Sequence, residues 1–533
     1  MKKLDNNVKF KILAVILIII LCIAITPITF QNDTYYTIKI GEHIQNYGIG
    51  MMDPYSWHKG LSYTYPHWLY DLLTYKIYSH FGFMGIYVVT CILSCILGLS
   101  IFFVNSKLSK GKIISFFVTV GTMCLLKDFI AARAQLVTFI LFIFVIYFIE
   151  KFLESKKAKY GIFIILISIL IANLHVAVWP FLFILFLPYI GEYVVYKIIC
   201  KEYKEKLLLL KIKLFKKNSK KYQEKLEKIR LNKSEKSNKI KNSYKIKINK
   251  NDNVKWLIII MIICSFTGLL TPLGDTPYTY LIKTLLGNTT QNISEHLPMV
   301  LSKEPSALCA IIVFLIILMF KNVRIKLCDL FMISGLALLM LLSTRQLSIL
   351  LLIGSIIFSK LTVELIESYS NNLLLDVMKK ILQPIIILFM VLSVGCLVYD
   401  NVKIKDDDKF VDETKYPVKA CDYILKNIDL NKSKFYNQYN YGSYMIYRGI
   451  PVFIDSRADL YTPEFSGLKD DIFTNYIEAD DITVFYEDIF KKYGITHIIL
   501  SSKSKINVII SGEKNQKYHE LYKDNNFVIY ERK

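Results

Sequence analysis

Residues 31–80 read QNDTYYTIKIGEHIQNYGIGMMDPYSWHKGLSYTYPHWLYDLLTYKIYSH, and the rest of the chain is read outward from this stretch. It is polar and lies between two strongly apolar runs. Carboxylates (Asp33, Glu42, Asp53, Asp71), histidines (His43, His58, His67) and aromatic rings occur together here and in no other early segment. On either side the sequence reads as membrane. The 533 residues are 53% hydrophobic with a mean hydropathy of +0.38, too apolar for an ordinary soluble protein. A membrane-crossing helix needs about 20 apolar residues, and such runs recur at 9–30, 81–104, 112–127, 134–152, 160–176, 178–198, 255–271, 305–320, 325–343, 347–361 and 380–399. The expectation is a polytopic α-helical membrane protein with about eleven spans, the first run being a retained anchor rather than a cleaved signal.

The formal net charge of +22 is distributed in a way that argues against nucleic acid. Lysine and arginine crowd into alternate connections, at 2–11, 107–112, 151–159, 201–255 and 321–326. The positive-inside rule assigns these to the cytoplasm. Alternation then sends 31–80, 128–133, 175–179, 272–305, 344–346 and the tail after 400 to the outer face, with a cytoplasmic N-terminus and an extracellular C-terminus at the plasma membrane. The segment 201–254 is lysine-rich and poor in aromatics, an insert suited to the anionic cytoplasmic leaflet. Seven of the ten cysteines sit in apolar runs, where a thiol acts as a small hydrophobe, so no disulfide framework or zinc spacing is read.

From residue 401 to 533 the composition becomes that of a soluble domain. Strands are expected in SKFYNQY, PVFIDSRADLY, ITHIILS and FVIYER, with helices between them, which makes a small α/β layer domain. The end of the second of these segments carries Asp455, Arg457 and Asp459. Asp455 and Arg457 are candidate substrate contacts, and an internal ion pair between them is the competing reading.

Transfer of a sugar to an acceptor needs a general base and cations that stabilise a departing phosphate. Asp33 stands just past the first apolar run, at the height of a lipid headgroup, and is the natural base. Asp53 follows a glycine-rich turn that could return it to Asp33, and the two together could hold a hard divalent cation, Mg or Mn. Lys127 and Arg133 in KDFIAARAQ, and Arg345 in LLSTRQLS, are candidate donor-phosphate ligands, since charges at a membrane edge are costly without a partner. Snorkelling to the interface is the alternative for each. Tyr36, Trp57, His67, His175 and Glu295 are candidate substrate contacts. An interfacial aromatic belt is the competing reading for the rings, Tyr35, Tyr55 and Trp68 included.

The run Asp33-Thr34-Tyr35-Tyr36, then Gly41, Ile44, Gly48 and Asp53-Pro54-Tyr55-Ser56-Trp57, resembles the first external loop of bacterial multi-pass proteins with the GT-C glycosyltransferase architecture. His67-Trp68-Leu69, Asn173-Leu174-His175, Tyr441-Gly442-Ser443-Tyr444 and Phe453-Ile454-Asp455-Ser456-Arg457-Ala458-Asp459 are similar to features of one branch of that class. The likeness extends over residues 1–400 and the tail, apart from the lysine insert. It implies an acidic catalytic base after the first span, a polyprenyl-phosphate-linked sugar donor, and a glycan or protein acceptor outside the cell. The acidic pair familiar in that architecture is absent, because Asn32 precedes Asp33. A transporter or flippase of lipid-linked glycans, and a non-catalytic membrane-anchored glycan-binding protein, are the alternative functions. The first would want charges deep within the spans rather than at their outer ends.

Overall fold

The computed structural model describes residues 6–199, 245–369, 372–405, 409–512 and 517–533, together with positions 224, 227, 228 and 230. Most of the lysine insert therefore lies outside the described residues. All eleven apolar runs are mainly helical, the run 178–198 being divided into Phe181–Ile184 and Leu187–Ile199. Six are long and apolar enough to cross a membrane: Val8–Ile25, Trp68–Ser109, Ala134–Ser155, Val176–Ile199, Thr344–Tyr369 and Pro384–Lys403. Five are shorter: Lys112–Leu125, Ala158–Leu174, Val254–Leu269, Ala307–Met319 and Leu327–Leu342. Many of their large apolar side chains point outward, among them Ile12, Ile16, Ile92, Leu166, Ile259 and Leu388. That is the pattern of a bundle solvated by lipid, since a soluble core would hide them.

The stretch 31–80 is largely helical, which corrects its reading as a loop. Helix α1 (Asn6–Ile25) is followed by α2 (Asn32–Tyr47), a short amphipathic helix, and then by α3 (Trp68–Ser109). Tyr36, Ile40 and Ile44 recur at four-residue spacing and form the buried stripe of α2. Asp33 sits in its first turn, where the N-terminal partial positive charge favours a carboxylate. Gly48 ends the helix at φ 78°, a left-handed conformation that suits glycine. Helix α3 is broken at Gly82 (φ 59°), so residues 68–81 take a different direction from the apolar remainder. Helix α2 lies directly on α3. A Cβ on Gly41 would come within 2.1 Å of the Asp71 carbonyl oxygen and 2.6 Å of the Tyr75 Cβ, so only glycine permits this approach.

The C-terminal part is a four-stranded sheet in the order β3 (Phe435–Tyr436), β4 (His497–Ser501), β6 (Phe527–Arg532), β5 (Tyr518–Lys523). β3 and β4 are parallel and the other pairs antiparallel. The two remaining strands, β1 (Ile246–Lys247) and β2 (Ile325–Lys326), pair with each other at the bundle. Helices Val418–Asn427, Tyr439–Tyr447, Ile472–Asp481, Tyr486–Tyr493 and Lys505–Gly512 cover the larger sheet. Three of the four expected strands form. PVFIDSRADLY does not, because the Asp455 carboxylate takes the backbone N–H of Arg457 at 2.9 Å and turns the chain into the 3₁₀ segment Ala458–Tyr461.

The sheet domain shares its core with the first loop. Tyr36, Ile40, Leu61, Tyr63 and Tyr65 pack with Phe453, Ile454 and Tyr461. Tyr35 and Ile38 pack with Tyr416, Tyr444 and Met445. Backbone bonds join the two parts as well, from Phe30 N–H to the Phe410 carbonyl at 3.0 Å and from Ser62 N–H to the Ser466 carbonyl at 3.1 Å.

Candidate active site

One cavity of about 850 Å³ lies where α2, the start of α3, the turns at 131–135 and 175–181, the segment 280–296, the turn at 339–346 and the sheet domain meet. All the segments that charge alternation assigns to one side of the membrane thus gather at one end of the bundle. The lining combines two chemistries. A charged and polar set includes Asp33, Arg133, Glu295, His67 and Arg345; an apolar set includes Phe181, Ile184, Leu281, Leu285, Leu339 and Leu342. Leu281, Leu285 and Leu342 are also exposed on the protein surface, so the cavity has an apolar margin facing where lipid would lie.

Asp33 and Arg133 form the charged centre. Arg133 caps the helix Ala134–Ser155 and turns its guanidinium to the first turn of α2, where Nη2 is ion-paired with the Asp33 carboxylate. Nη1 donates to Gln31 Oε1 at 3.4 Å and lies 3.7 Å from Glu295 Oε1. Burial opposes the charge on Arg133, but Asp33 and Glu295 outweigh it and hold the guanidinium protonated. Arg345, in the tight turn Thr344–Gln346, lines the same cavity, and no carboxylate is paired with it among the described residues.

His67 and His175 meet with ring centroids 4.9 Å apart. Trp68 Nε1 donates to Asn173 Oδ1 at 3.2 Å, joining the same two segments. The Thr138 hydroxyl lies 3.1 Å from the Ala134 carbonyl and 3.0 Å from His175 Nδ1. If the hydroxyl donates to the carbonyl, His175 carries its proton on Nδ1. Burial pushes the His67 imidazole down to about 4, only partly offset by Asp33, and holds His175 well below its ordinary value, so both are neutral near pH 7.

The structure separates the remaining expected site residues. Tyr36 and Glu295 line the cavity. Asp53 does not turn back to Asp33: its Oδ1 meets Arg457 Nη1 at 2.6 Å and its Oδ2 accepts from the Ser56 N–H at 2.7 Å. Among the described residues no group of three or more His, Cys, Asp or Glu could hold a metal ion, and the two acids of the expected cation site are held by different arginines, Asp33 by Arg133 and Asp53 by Arg457. Asp455 is fully buried: its Oδ1 accepts from Arg457 Nε at 2.8 Å and its Oδ2 from Arg457 Nη2 at 2.7 Å and from the Tyr461 hydroxyl. The internal ion pair, rather than a substrate contact, is what Asp455 makes. Arg457 borders the cavity with a guanidinium already held by two carboxylates and stacked 5.0 Å above Tyr63.

Trp57 belongs to packing: its Nε1 donates to the Phe435 carbonyl at 2.9 Å, and its ring meets Phe453. Tyr35, Tyr55 and Trp68 are likewise not part of the lining. Lys127 lies in the turn Lys127–Phe129, away from the cavity. Lining residues not among the sequence candidates include His296, Tyr280, Tyr439 and Asp459. Asp459 accepts from the Tyr280 hydroxyl at 2.6 Å and the Thr289 hydroxyl at 3.0 Å, tying the sheet domain to the 276–292 segment. The amphipathic helix Thr276–Leu286 was the available signal for Tyr280. Nothing local marks Tyr439.

No protein-family model and no curated protein matches the chain. Among solved structures, ArnT from Cupriavidus metallidurans bound to undecaprenyl phosphate superposes over 99% of this chain and 98% of its own, with a TM-score of 0.53 and 9% sequence identity. The chain has the ArnT fold. The superposition takes in the sheet domain as well as the helices. At this identity the likeness to ArnT is one of fold.

Proposed function

We propose that the chain is an integral-membrane glycosyltransferase, a hexosyltransferase that moves a sugar from a polyprenyl-phosphate donor to a glycan or protein acceptor on the outer face of a bacterial plasma membrane. The observation that carries this reading is one cavity in which Asp33, Arg133 and Arg345 adjoin a lipid-facing apolar margin. A polyprenyl phosphate has the matching halves, an apolar chain and an anionic head. The ArnT structure, which shares the fold, was solved with undecaprenyl phosphate.

In this reading the prenyl chain lies against Leu281, Leu285 and Leu342, and the phosphate meets Arg133 and Arg345. Asp33 takes the proton of the acceptor hydroxyl as its oxygen bonds to the anomeric carbon. The bond from that carbon to the phosphate oxygen breaks, and the electron pair leaves with the phosphate. The arginines stabilise the charge that develops there. His67 and His175, both neutral, offer hydrogen bonds to sugar hydroxyls. Asp53 and Arg457 hold the wall rather than react.

Eleven crossings, six by the long helices and five by the shorter ones with their flanking turns, put the N-terminus in the cytoplasm and the sheet domain outside. This agrees with the basic connections at the opposite end. The test is transfer by the purified chain, wild type beside Arg345→Ala. The donor KM should rise roughly tenfold or more for loss of a charge-assisted phosphate contact, with a smaller change in kcat. An unaltered donor KM would remove Arg345 from the phosphate site.

A further inference from the structure

The base and the phosphate ligand of this proposed reaction are bound to each other. Arg133 Nη2 is engaged by Asp33, and its Nη1 faces Gln31 and Glu295. Both terminal nitrogens are therefore directed at protein oxygens. Asp33 and Arg133 are mostly buried, with side chains 17% and 25% exposed, so water screens the pair only in part. Arg345, on the same cavity, carries no such partner among the described residues.

A guanidinium edge that forks onto one anion cannot fork onto a second. An arriving phosphate must therefore take Arg133 from Asp33 or leave it alone. A carboxylate engaged by a guanidinium is, in turn, poorly placed to accept a proton from a hydroxyl. We propose that Asp33 is the intramolecular stand-in for the donor phosphate: the two compete for Arg133, and donor binding frees the base. This rests on the proposed function and goes beyond it by fixing an order. Arg345 meets the phosphate first, the phosphate then displaces Asp33 from Arg133, and only afterwards can Asp33 receive the acceptor proton. Glu295, more exposed at 52%, is a weaker competitor of the same kind. The arrangement keeps the base idle while the donor is absent.

Competition has a signature that a simple structural or catalytic role lacks. Removing the charge of Asp33 should tighten binding of the phosphate head while abolishing transfer. The experiment measures affinity of the purified full-length chain in nanodiscs for a short-chain polyprenyl phosphate, with the polyprenol of equal length as control. Asp33→Asn should bind the phosphate at least roughly five-fold tighter and the polyprenol unchanged. Glu295→Gln should tighten the phosphate to a smaller extent, which checks the inference if Asp33→Asn folds poorly. Arg133→Ala should bind the phosphate at least about tenfold weaker, and the double variant no tighter than Arg133→Ala alone. Unchanged binding by Arg133→Ala would overturn the proposed phosphate site itself. Weakened binding by Arg133→Ala with no tightening by either carboxylate variant would overturn the competition alone.

Discussion

Arg457→Ala should open the seam between the first loop and the sheet domain. The Arg457 side chain is 3% exposed, and the carboxylates of Asp53 and Asp455 on either side are fully buried. Three contacts between 2.6 and 2.8 Å hold the guanidinium. Truncation leaves two buried carboxylates without their cation. Breaking a buried pair from one side costs about 3–5 kcal/mol. Asp455 keeps the Tyr461 hydroxyl and the Arg457 N–H, and Asp53 keeps the Ser56 N–H, which argues for the lower part of that range. At about 1.4 kcal/mol per decade, local opening should become roughly two to three and a half orders of magnitude more frequent. Amide hydrogen exchange of the detergent-solubilised chain would read this directly in peptides covering 52–63 and 452–461. Asp53→Asn, which leaves Arg457 its second carboxylate, should cost less, about 1–3 kcal/mol. Exchange in both segments indistinguishable from wild type for Arg457→Ala would refute the reasoning, as would a larger effect from Asp53→Asn.

Other consequences follow from the same geometry. Gly41→Ala should destabilise the α2–α3 packing, because its Cβ would overlap the Asp71 carbonyl; a melting temperature equal to wild type would contradict that close approach. Gly442→Ala should act similarly in the sheet domain, where a Cβ would lie 2.1 Å from the Ile454 carbonyl oxygen. His58 is half-buried against the Phe453 carbonyl, 3.0 Å from Nε2, and the desolvation lowers its imidazole to about 4 from an ordinary 6.5. The unfolded chain binds that proton first, so the stability His58 contributes is complete above pH 6.5. It is lost as pH falls toward 4, by up to about 1.4 kcal/mol per pH unit in that window. His58→Gln should flatten that part of the pH–stability curve, and an unchanged slope between pH 6.5 and 4 would refute it.

The membrane architecture was legible because apolar runs of spanning length leave few alternatives. The interfacial helix α2 was obscured: only Tyr36, Ile40 and Ile44 carry its period, and the polar residues between them imitate a loop. The site was legible in parts. Asp33, Arg133, Arg345, His67, His175, Glu295 and Tyr36 all reach the cavity. Asp33 and Arg133 lie a hundred positions apart in the sequence, and their direct pairing is a product of the fold. Asp53, Asp455 and Trp57 misled for a physical reason: buried docking between two polar segments uses the same carboxylates and rings as a sugar site. Two acids converge on one arginine that satisfies both, and the sequence DSRAD contains only one of the two acids. Lys127 and Arg133 look equivalent in KDFIAARAQ, but only Arg133 is carried toward α2 by the turn that starts the helix Ala134–Ser155.

The most direct measurement is transfer of radiolabelled sugar from a polyprenyl-phosphate donor by the purified chain, wild type beside Asp33→Asn. Label should move to an acceptor or to water with wild type and not with Asp33→Asn, while the variant inserts and folds normally. Equal transfer by both would contradict Asp33 as the base; donor bound but never turned over by wild type would contradict the enzyme.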